Sequence, residues 1–389
     1  MPTMAMKVEV ASTVYAWARR RSGLAPEELD RRFPDFDRWE SGRSQPTLKQ
    51  LESLAQATNT PVGFFFLDQP PSDDELPVPD FRTMQSRRVR RPTANLLQTV
   101  YDCQQRQEWY EEYLRANREE PVAVVGSATT NSDIIATALL IRNTLNFAPS
   151  ERGSTWSEAF RRLTDKSEDT GILVMVNGVV GSNTHRKLDP REFRGFSLVD
   201  RYAPLVFVNG ADTKAAQIFT LAHELAHVWL GESGIDDIDL SASPPSGIES
   251  WCNAVAAEIL VPLELLGGRD LDLDSSSLTG QLEAIAAEFK VSTLVALSRL
   301  RDIGQITAAQ FREHYDSELA RVLVLRDQEP ATSGGNFYNT QPVRTSKRFT
   351  RALVASTVEG QTLRRDAYQL LGFKKSRTFD ELARRLDVI

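Results

Sequence analysis

The sequence has few of the residues that bind metals or form disulfides. It contains four histidines and two cysteines, Cys103 and Cys252, among its 389 residues. Two cysteines that form no CxxC pair are too few for a disulfide framework, so we expect a reducing, cytoplasmic environment. The chain also lacks a signal-like apolar segment at its N-terminus and any apolar run near ~18 residues. We therefore expect neither secretion nor insertion into a membrane.

The composition is that of a soluble globular protein, with 41% hydrophobic and 25% charged residues. The length allows two or more domains, each with its own core. A net charge of -7 excludes the chain as a whole from the general polyanion binders.

Composition and hydrophobic periodicity divide the chain into four segments and predict an α+β protein, mostly helical with a small β-sheet. Short helical patterns fill residues 1–70, and a proline-rich acidic stretch then begins a linker and connecting helix at 71–125. Residues 126–328 contain two β-rich runs, GILVMVNGVV and APLVFVNG, followed by helical patterns. Residues 329–389 form a C-terminal helical segment behind a loop, and the chain contains no internal repeat.

One predicted helix contains two of the four histidines. Residues 215–230 include no proline or glycine. Asp212 or Thr213 could cap the start of this helix, and Gly231 could end it. The predicted helix therefore has a recognisable beginning and end.

The spacing within this helix suggests a metal site. His223 and His227 are four residues apart, so their imidazoles lie one turn apart on the same face and can bind one ion. Glu224 lies one position further round, where it could reach a water on that ion. The alternative is an ordinary solvated or buried histidine pair. We favour the metal site because the motif HExxH lies in a well-bounded helix of a histidine-poor chain.

A third ligand is expected on the next predicted helix, residues 246–262. Glu249 follows His227 by 22 residues, and the loop between them is long enough to turn the second helix back against the first. Asn253 lies one turn after Glu249 and could hydrogen-bond the second ring nitrogen of a ligand histidine.

Two alternatives to Glu249 stay open at this stage. Ser246 and Glu249 fit a capping box, in which Glu249 would bond backbone amides instead of a metal. Glu258 is a rival ligand, about half a turn away from the face of Glu249. We favour Glu249 because of its spacing to Asn253.

Three stretches of the chain resemble the ImmA/IrrE metallo-endopeptidases: RGFSLVDRYAPLVFVNG, IFTLAHELAHVWLG and ESWCNAVAAEILVP. Together with FKVSTLVALSRLRDIGQIT they extend the resemblance over roughly residues 130–320. Members of this family are cytoplasmic bacterial or phage zinc peptidases with a gluzincin-like core. The resemblance implies zinc bound by His223, His227 and Glu249, with Glu224 as the catalytic base.

The N-terminal segment resembles the Xre helix-turn-helix domain through the pattern W-E-x-G-x-x-x-P, from Trp39 to Pro46. The chain is about four residues shorter than the usual pattern between Leu29 and Trp39, where the recognition helix begins. Residues 1–60 hold nine Lys/Arg and eight Asp/Glu, which is a poor surface for phosphates. We expect a degenerate domain that holds a partner protein or restrains the peptidase, with Phe33, Phe36 and Trp39 in its core. Sequence-specific DNA binding is the alternative.

The expected function is that of a zinc-dependent endopeptidase that cleaves a regulatory protein. The family resemblance implies an Xre-type repressor, or a partner from a stress, toxin-antitoxin or mobile-element module. The alternative is a non-hydrolytic, antitoxin-like regulator that binds a toxin and DNA. Residues 341–389 hold eleven Lys/Arg and five Asp/Glu, so this segment is a candidate for DNA contact, although a solvated helical face is an equal alternative.

Two further expectations concern the substrate. The strand at 204–208 could offer an edge with which a substrate backbone pairs. A donor to the oxyanion of the tetrahedral intermediate is also needed, and His185, Arg186 and Tyr202 are the candidates.

Overall fold

A computed structural model describes most of the chain. The described residues are 7–22, 24, 26–58, 60, 62–70, 92–236, 247–267, 275–328, 337–373 and 375–388. Most of the proline-rich linker, Ser246 and the centre of the loop before the C-terminal helices lie outside them. The chain forms two compact units, the first comprising residues 1–77 and 90–98, and the second residues 78–89 and 99–389.

The first unit consists of short helices around an aromatic core. Its helices are α1 (Ser12–Ser22), α2 (Pro26–Arg32), α3 (Phe36–Glu40) and α4 (Leu48–Ala57), followed by a 3₁₀ turn at Val62–Phe66. Phe33, Phe36 and Trp39 are buried, as the spacing predicts. Tyr15 contacts Phe36 edge to face with a centroid distance of 5.8 Å. Helix α3 spans only five residues, in keeping with the shortened segment before Trp39.

The remaining helices follow in chain order, beginning with α5 (Ala94–Ala116), whose first residues belong to the first unit. Before the sheet come α6 (Ile134–Thr144), a 3₁₀ turn (Pro149–Glu151) and α7 (Trp156–Asp169). The predicted site lies on α8 (Lys214–Leu230) and α9 (Ile248–Leu260). After the site come α10 (Leu263–Leu266), α11 (Ser275–Phe289), α12 (Thr293–Asp302) and α13 (Ala308–Gln328). The C-terminal helices are α14 (Phe337–Arg344), α15 (Lys347–Val358), α16 (Arg364–Leu371) and α17 (Ser376–Arg385). No helix among the described residues combines the length and apolarity needed to cross a bilayer.

The second unit contains a four-stranded sheet, which confirms a mostly helical α+β fold. Its strands are β1 (Leu173–Asn177), β2 (Gly195–Leu198), β3 (Leu205–Asn209) and β4 (Gly234–Asp236), in the order β1-β3-β2-β4. Strand β3 pairs parallel with β1 and antiparallel with β2, and β4 pairs antiparallel with β2. The expectation that residues 204–208 form a sheet edge is therefore wrong, since β3 is paired on both sides. The outer strands of this sheet are β1, which α14 and α15 contact, and β4.

Helix α8 lies at the centre of the second unit. It packs against β2 and β3 on one side, and against α7 and α9 on others. Every residue from Gln217 to Trp229 is buried. A helix that is buried all round needs apolar residues on every face, and this one has them except at the histidines and their polar neighbours.

The C-terminal helices join this unit through a buried carboxylate on α7. Glu168 accepts hydrogen bonds from Ser346 Oγ at 2.5 Å and from the backbone N–H of Lys347 at 3.0 Å, at the start of α15. Burial raises the pKa of Glu168 to about 7, although these hydrogen bonds lower it in part. A carboxylate is favoured at a helix N-terminus, where the backbone N–H groups have no intrahelical partner.

The positive charge of the C-terminal segment is partly compensated within the segment. Arg364 pairs with Asp380 at 3.1 Å, and both Arg384 and Arg385 pair with Glu381 at 2.8 and 2.9 Å. The described helices α16 and α17 therefore carry less uncompensated charge than the residue counts suggest.

Candidate metal centre

Helix α8 begins and ends at the residues that the sequence suggests. The side chain of Thr213 accepts a hydrogen bond from the backbone N–H of Ala216, so Thr213, rather than Asp212, is the N-cap. Gly231 ends the helix with φ of 79°, in the left-handed region that glycine adopts most easily. The helix that carries residues 223–227 therefore has a defined cap at each end.

Three potential ligands meet where α8 crosses α9. The Nε2 atoms of His223 and His227 lie 3.1 Å apart. The carboxylate oxygens of Glu249 lie 3.3 Å from Nε2 of His223 and 3.4 Å from Nε2 of His227. All three residues are buried, and Glu249 is the most exposed of them at 3%. They form the one group of potential metal ligands found among the described residues.

These distances fit a small divalent cation. Zinc binds histidine nitrogen and carboxylate oxygen at about 2.0–2.2 Å, which separates neighbouring ligand atoms of a tetrahedral site by roughly 3.3 Å. The three separations in the structure, 3.1, 3.3 and 3.4 Å, are close to that edge length. In addition, neither oxygen of the buried Glu249 carboxylate accepts a hydrogen bond from a described residue. A buried carboxylate without such bonds is costly, and a bound cation would remove that cost.

Glu224 lies beside the ligands and faces strand β2. It is 1% exposed. The strand residue next to it is Gly195, where an added Cβ would lie 3.1 Å from Glu224 Oε1 and 2.5 Å from Thr220 Cγ2. The close approach of β2 to α8 therefore requires glycine at this position. The prediction from sequence missed Gly195, although a glycine inside a strand pattern can signal a close approach.

The structure separates Glu258 from the two histidines. The Glu258 carboxylate pairs with Arg299 Nη2 and accepts a hydrogen bond from the backbone N–H of Leu263 at 3.3 Å. Glu249 and Glu258 thus occupy different sides of α9, as their half-turn offset implies. The geometry favours Glu249 as the third ligand.

The capping-box alternative for Glu249 finds no support in the described residues. Helix α9 has Gly247 as its N-cap, with no side-chain cap hydrogen bond, while Ser246 lies outside the described chain. The hydrogen bond expected between Asn253 and a ligand histidine is not formed. Asn253 Oδ1 is buried and accepts no hydrogen bond from the described residues.

The structure does not select an oxyanion donor from the three candidates. His185 is exposed, and its backbone N–H donates to Asn183 Oδ1 at 3.0 Å. The guanidinium carbon of Arg115 lies 4.2 Å from the centroid of the Tyr202 ring. The backbone N–H of Tyr202 donates to Asp200 Oδ1. Arg186 is half-buried in the same loop as His185.

Comparison with known families supports a metallopeptidase resemblance for the part of the chain that holds the ligands. Residues 167–301 match the family model Peptidase_M78, described as the IrrE N-terminal-like domain. Residues 345–385 match a second model, described as a domain of unknown function, DUF8813. The first match includes the sheet, α8 and α9, and the second includes α15 to α17. Neither match includes the Xre-like N-terminal segment. No curated protein and no solved structure matches the chain.

Proposed function

We propose that this chain is a zinc-dependent endopeptidase. The observation that carries the proposal is the convergence of two imidazoles and one carboxylate within 3.1–3.4 Å of one another, with a second carboxylate, Glu224, on the adjacent helix position. The match of residues 167–301 to a peptidase family supports the same conclusion.

A zinc ion bound by His223, His227 and Glu249 would polarise the scissile carbonyl and lower the pKa of an attacking water towards ~7. Glu224 serves as the general base, because its carboxylate lies one residue from a ligand histidine and can accept a proton from that water. Glu224 then donates this proton to the leaving amine nitrogen as the C–N bond breaks. Burial of the site keeps bulk water away from the carboxylate and strengthens each electrostatic interaction there.

The substrate is proposed to be a protein that binds in an extended conformation. Strand β4 is paired on one side only among the described strands, and its partner in β2 includes Gly195, next to Glu224. A substrate backbone that pairs with the free side of β4 would be held extended and separated from Gly195 by the width of β4. An Xre-type repressor is the regulatory substrate that the family resemblance favours.

The test is cleavage by the purified chain and by Glu224→Gln. We expect zinc-loaded wild-type protein to cleave a cognate Xre-type repressor, with loss of cleavage on chelation and recovery on addition of zinc. Glu224→Gln should keep the zinc and lose at least ~100-fold in rate, because an amide cannot accept the proton. Cleavage by the glutamine variant at the wild-type rate would remove Glu224 from this role. Zinc binding without any cleavage would favour the non-hydrolytic regulator.

A further inference from the structure

Three buried arginines donate to the carbonyl end of α9, the helix that carries Glu249. They come from separate parts of the second unit: Arg142 on α6, Arg152 after the 3₁₀ turn at Pro149–Glu151, and Arg299 on α12. Their acceptors are four consecutive backbone carbonyls, those of Glu258, Ile259, Leu260 and Val261, at donor distances of 2.7, 2.9, 2.5 and 3.0 Å. We refer to Arg142, Arg152 and Arg299 as the arginine clamp.

The end of any helix needs donors for its last carbonyls. The clamp meets this need with an unusually large number of charged side chains. The last carbonyls of a helix have no intrahelical partner and carry partial negative charge, so a cation there is favourable. Many helix ends meet this need with water or with a single cation near the last turn. Here three are used, and none is more than 7% exposed.

The burial of these charges is costly. Burial lowers the pKa of Arg152 to about 9, and it lowers the pKa of Arg142 as well. Glu258 is the buried carboxylate that pairs with the clamp, through Arg299. Apolar residues of similar volume often replace buried ionic clusters without loss of stability. The arrangement is therefore better explained by the geometry that it imposes than by the stability that it adds.

That geometry fixes α9 along and around its axis. The guanidinium groups reach the helix end from α6, from the 3₁₀ turn and from α12, so a shift or rotation of α9 would break several hydrogen bonds at once. Arg152 also donates to Phe289 O on α11 at 2.7 Å, which connects the clamp to a further helix. At the opposite end of α9, no side chain of the described residues caps the helix.

The position of α9 matters most for Glu249. His223 and His227 belong to one buried helix, α8, so their separation does not depend on α9. Glu249 is the ligand that α9 brings to them, and metal sites require ligand positions correct to about 0.2 Å. We infer that the arginine clamp positions Glu249 against the histidine pair, so that Arg142, Arg152 and Arg299 are positioning residues for the metal site. This inference rests on the proposed function.

The test measures zinc affinity of the full-length chain by competition with a chelating dye. Arg152→Met removes three donor bonds and keeps a similar volume, and we expect it to weaken zinc binding about tenfold. The matched control is Arg106→Met. Arg106 is also buried and donates to a last-turn carbonyl, Leu370 O at 2.9 Å, but on α16 instead of α9. The control should lose stability and keep the wild-type zinc affinity.

A double-mutant cycle separates positioning from general destabilisation. If Arg152 acts through Glu249, the change Arg152→Met should have no further effect on zinc affinity in a Glu249→Ala background. If Arg152→Met does not fold, Arg142→Met, which loses one bond to the same helix end, takes its place in the cycle. Unchanged zinc affinity in the folded clamp variant would overturn the inference and leave the proposed function standing. An equal loss of zinc affinity with and without Glu249 would do the same. Absence of zinc binding by the wild-type chain would instead remove the proposed function and the inference with it.

Discussion

Gly195 on β2 and Glu224 on α8 approach each other so closely that a Cβ on the glycine would lie 3.1 Å from the Glu224 carboxylate. The same Cβ would lie 2.5 Å from Thr220 Cγ2 and 2.9 Å from Phe207 O. The backbone of β2 thus lies directly against side chains of α8 at the proposed base, and the space for Glu224 depends on a residue that has no side chain.

Gly195→Ala is therefore expected to destabilise the protein and to displace Glu224. Phe207 O is backbone of the neighbouring strand and cannot move aside, so the overpacking should cost about 1–3 kcal/mol. Thermal unfolding should show the loss, and the cleavage rate should fall while the zinc content stays near wild type. Adding Thr220→Ser, which removes Cγ2, should recover part of the stability.

Gly280→Ala is the matched control for this change. Gly280 lies on α11, where an added Cβ would meet nothing within 4 Å. A helical glycine replaced by alanine should be neutral or stabilising by up to ~1 kcal/mol. Equal loss of stability in both variants would show that the contact between Gly195 and α8 is not the cause.

Local sequence signals predicted the bounds of α8 and its histidine pair, but not the contact between Gly195 and Glu224. Thr213 and Gly231 delimit α8 because a cap and a left-handed glycine act within a few residues of the helix end. The spacing of four residues likewise places His223 and His227 on one face. Gly195 could not be connected to Glu224 in this way, because the contact depends on how β2 packs against α8.

Local signals also could not predict the strand order of the sheet or the arginines that contact α9. Residues 204–208 have the composition of a strand, but whether a strand is central or outer depends on its pairing with other strands, here with both β1 and β2. The arginines that donate to the end of α9 are 38 to 116 residues away in the sequence from the carbonyls that they bind. No local pattern distinguishes them from surface arginines.

Metal content provides a direct test of the ligand set. We expect about one zinc per chain in wild-type protein and loss of most of it in His223→Ala, because two remaining ligands hold the ion poorly. His314→Ala is the control, since His314 lies on α13 and is not part of the ligand group. Metal analysis of the purified variants gives the answer. Full zinc content in His223→Ala would place the site elsewhere.

Glu168 should make stability depend on pH. Its pKa is raised to about 7 by burial, so the folded state binds a proton more tightly than the unfolded state does. The contribution to stability is therefore fully present below the unfolded pKa of ~4.3 and is lost as pH rises through 7. Glu168→Gln keeps an acceptor for Ser346 and Lys347 without the charge. Its melting temperature should exceed that of wild type at pH 8, and the difference should shrink towards pH 5.

Glu158, on the same helix, serves as a control because its pKa is shifted in the opposite direction. Hydrogen bonds from the backbone and side chain of Ser154 lower the pKa of Glu158. Its contribution is present above the unfolded pKa and is lost as pH falls through the folded one. Glu158→Gln should therefore lower the melting temperature at pH 8. A Glu168→Gln variant that is less stable than wild type at pH 8 would contradict the proposed burial effect.

The N-terminal unit is expected not to bind DNA specifically. A helix that reads the major groove needs several exposed side chains along its length and phosphate contacts from nearby cations. Helix α3 has five residues, of which Phe36 and Trp39 are buried, and Arg38 is its single cation. Arg38 lies 3.5 Å from Asp35, which offsets its charge. The measurement is a fluorescence anisotropy titration of a fragment covering residues 1–70, first checked for a cooperative thermal transition, against the promoter of its own gene at moderate salt. We expect no saturable binding that survives competitor DNA, because α3 is too short for a full recognition helix and the charges of residues 1–60 are nearly balanced. Submicromolar, competitor-resistant binding would instead make this unit a promoter-binding module.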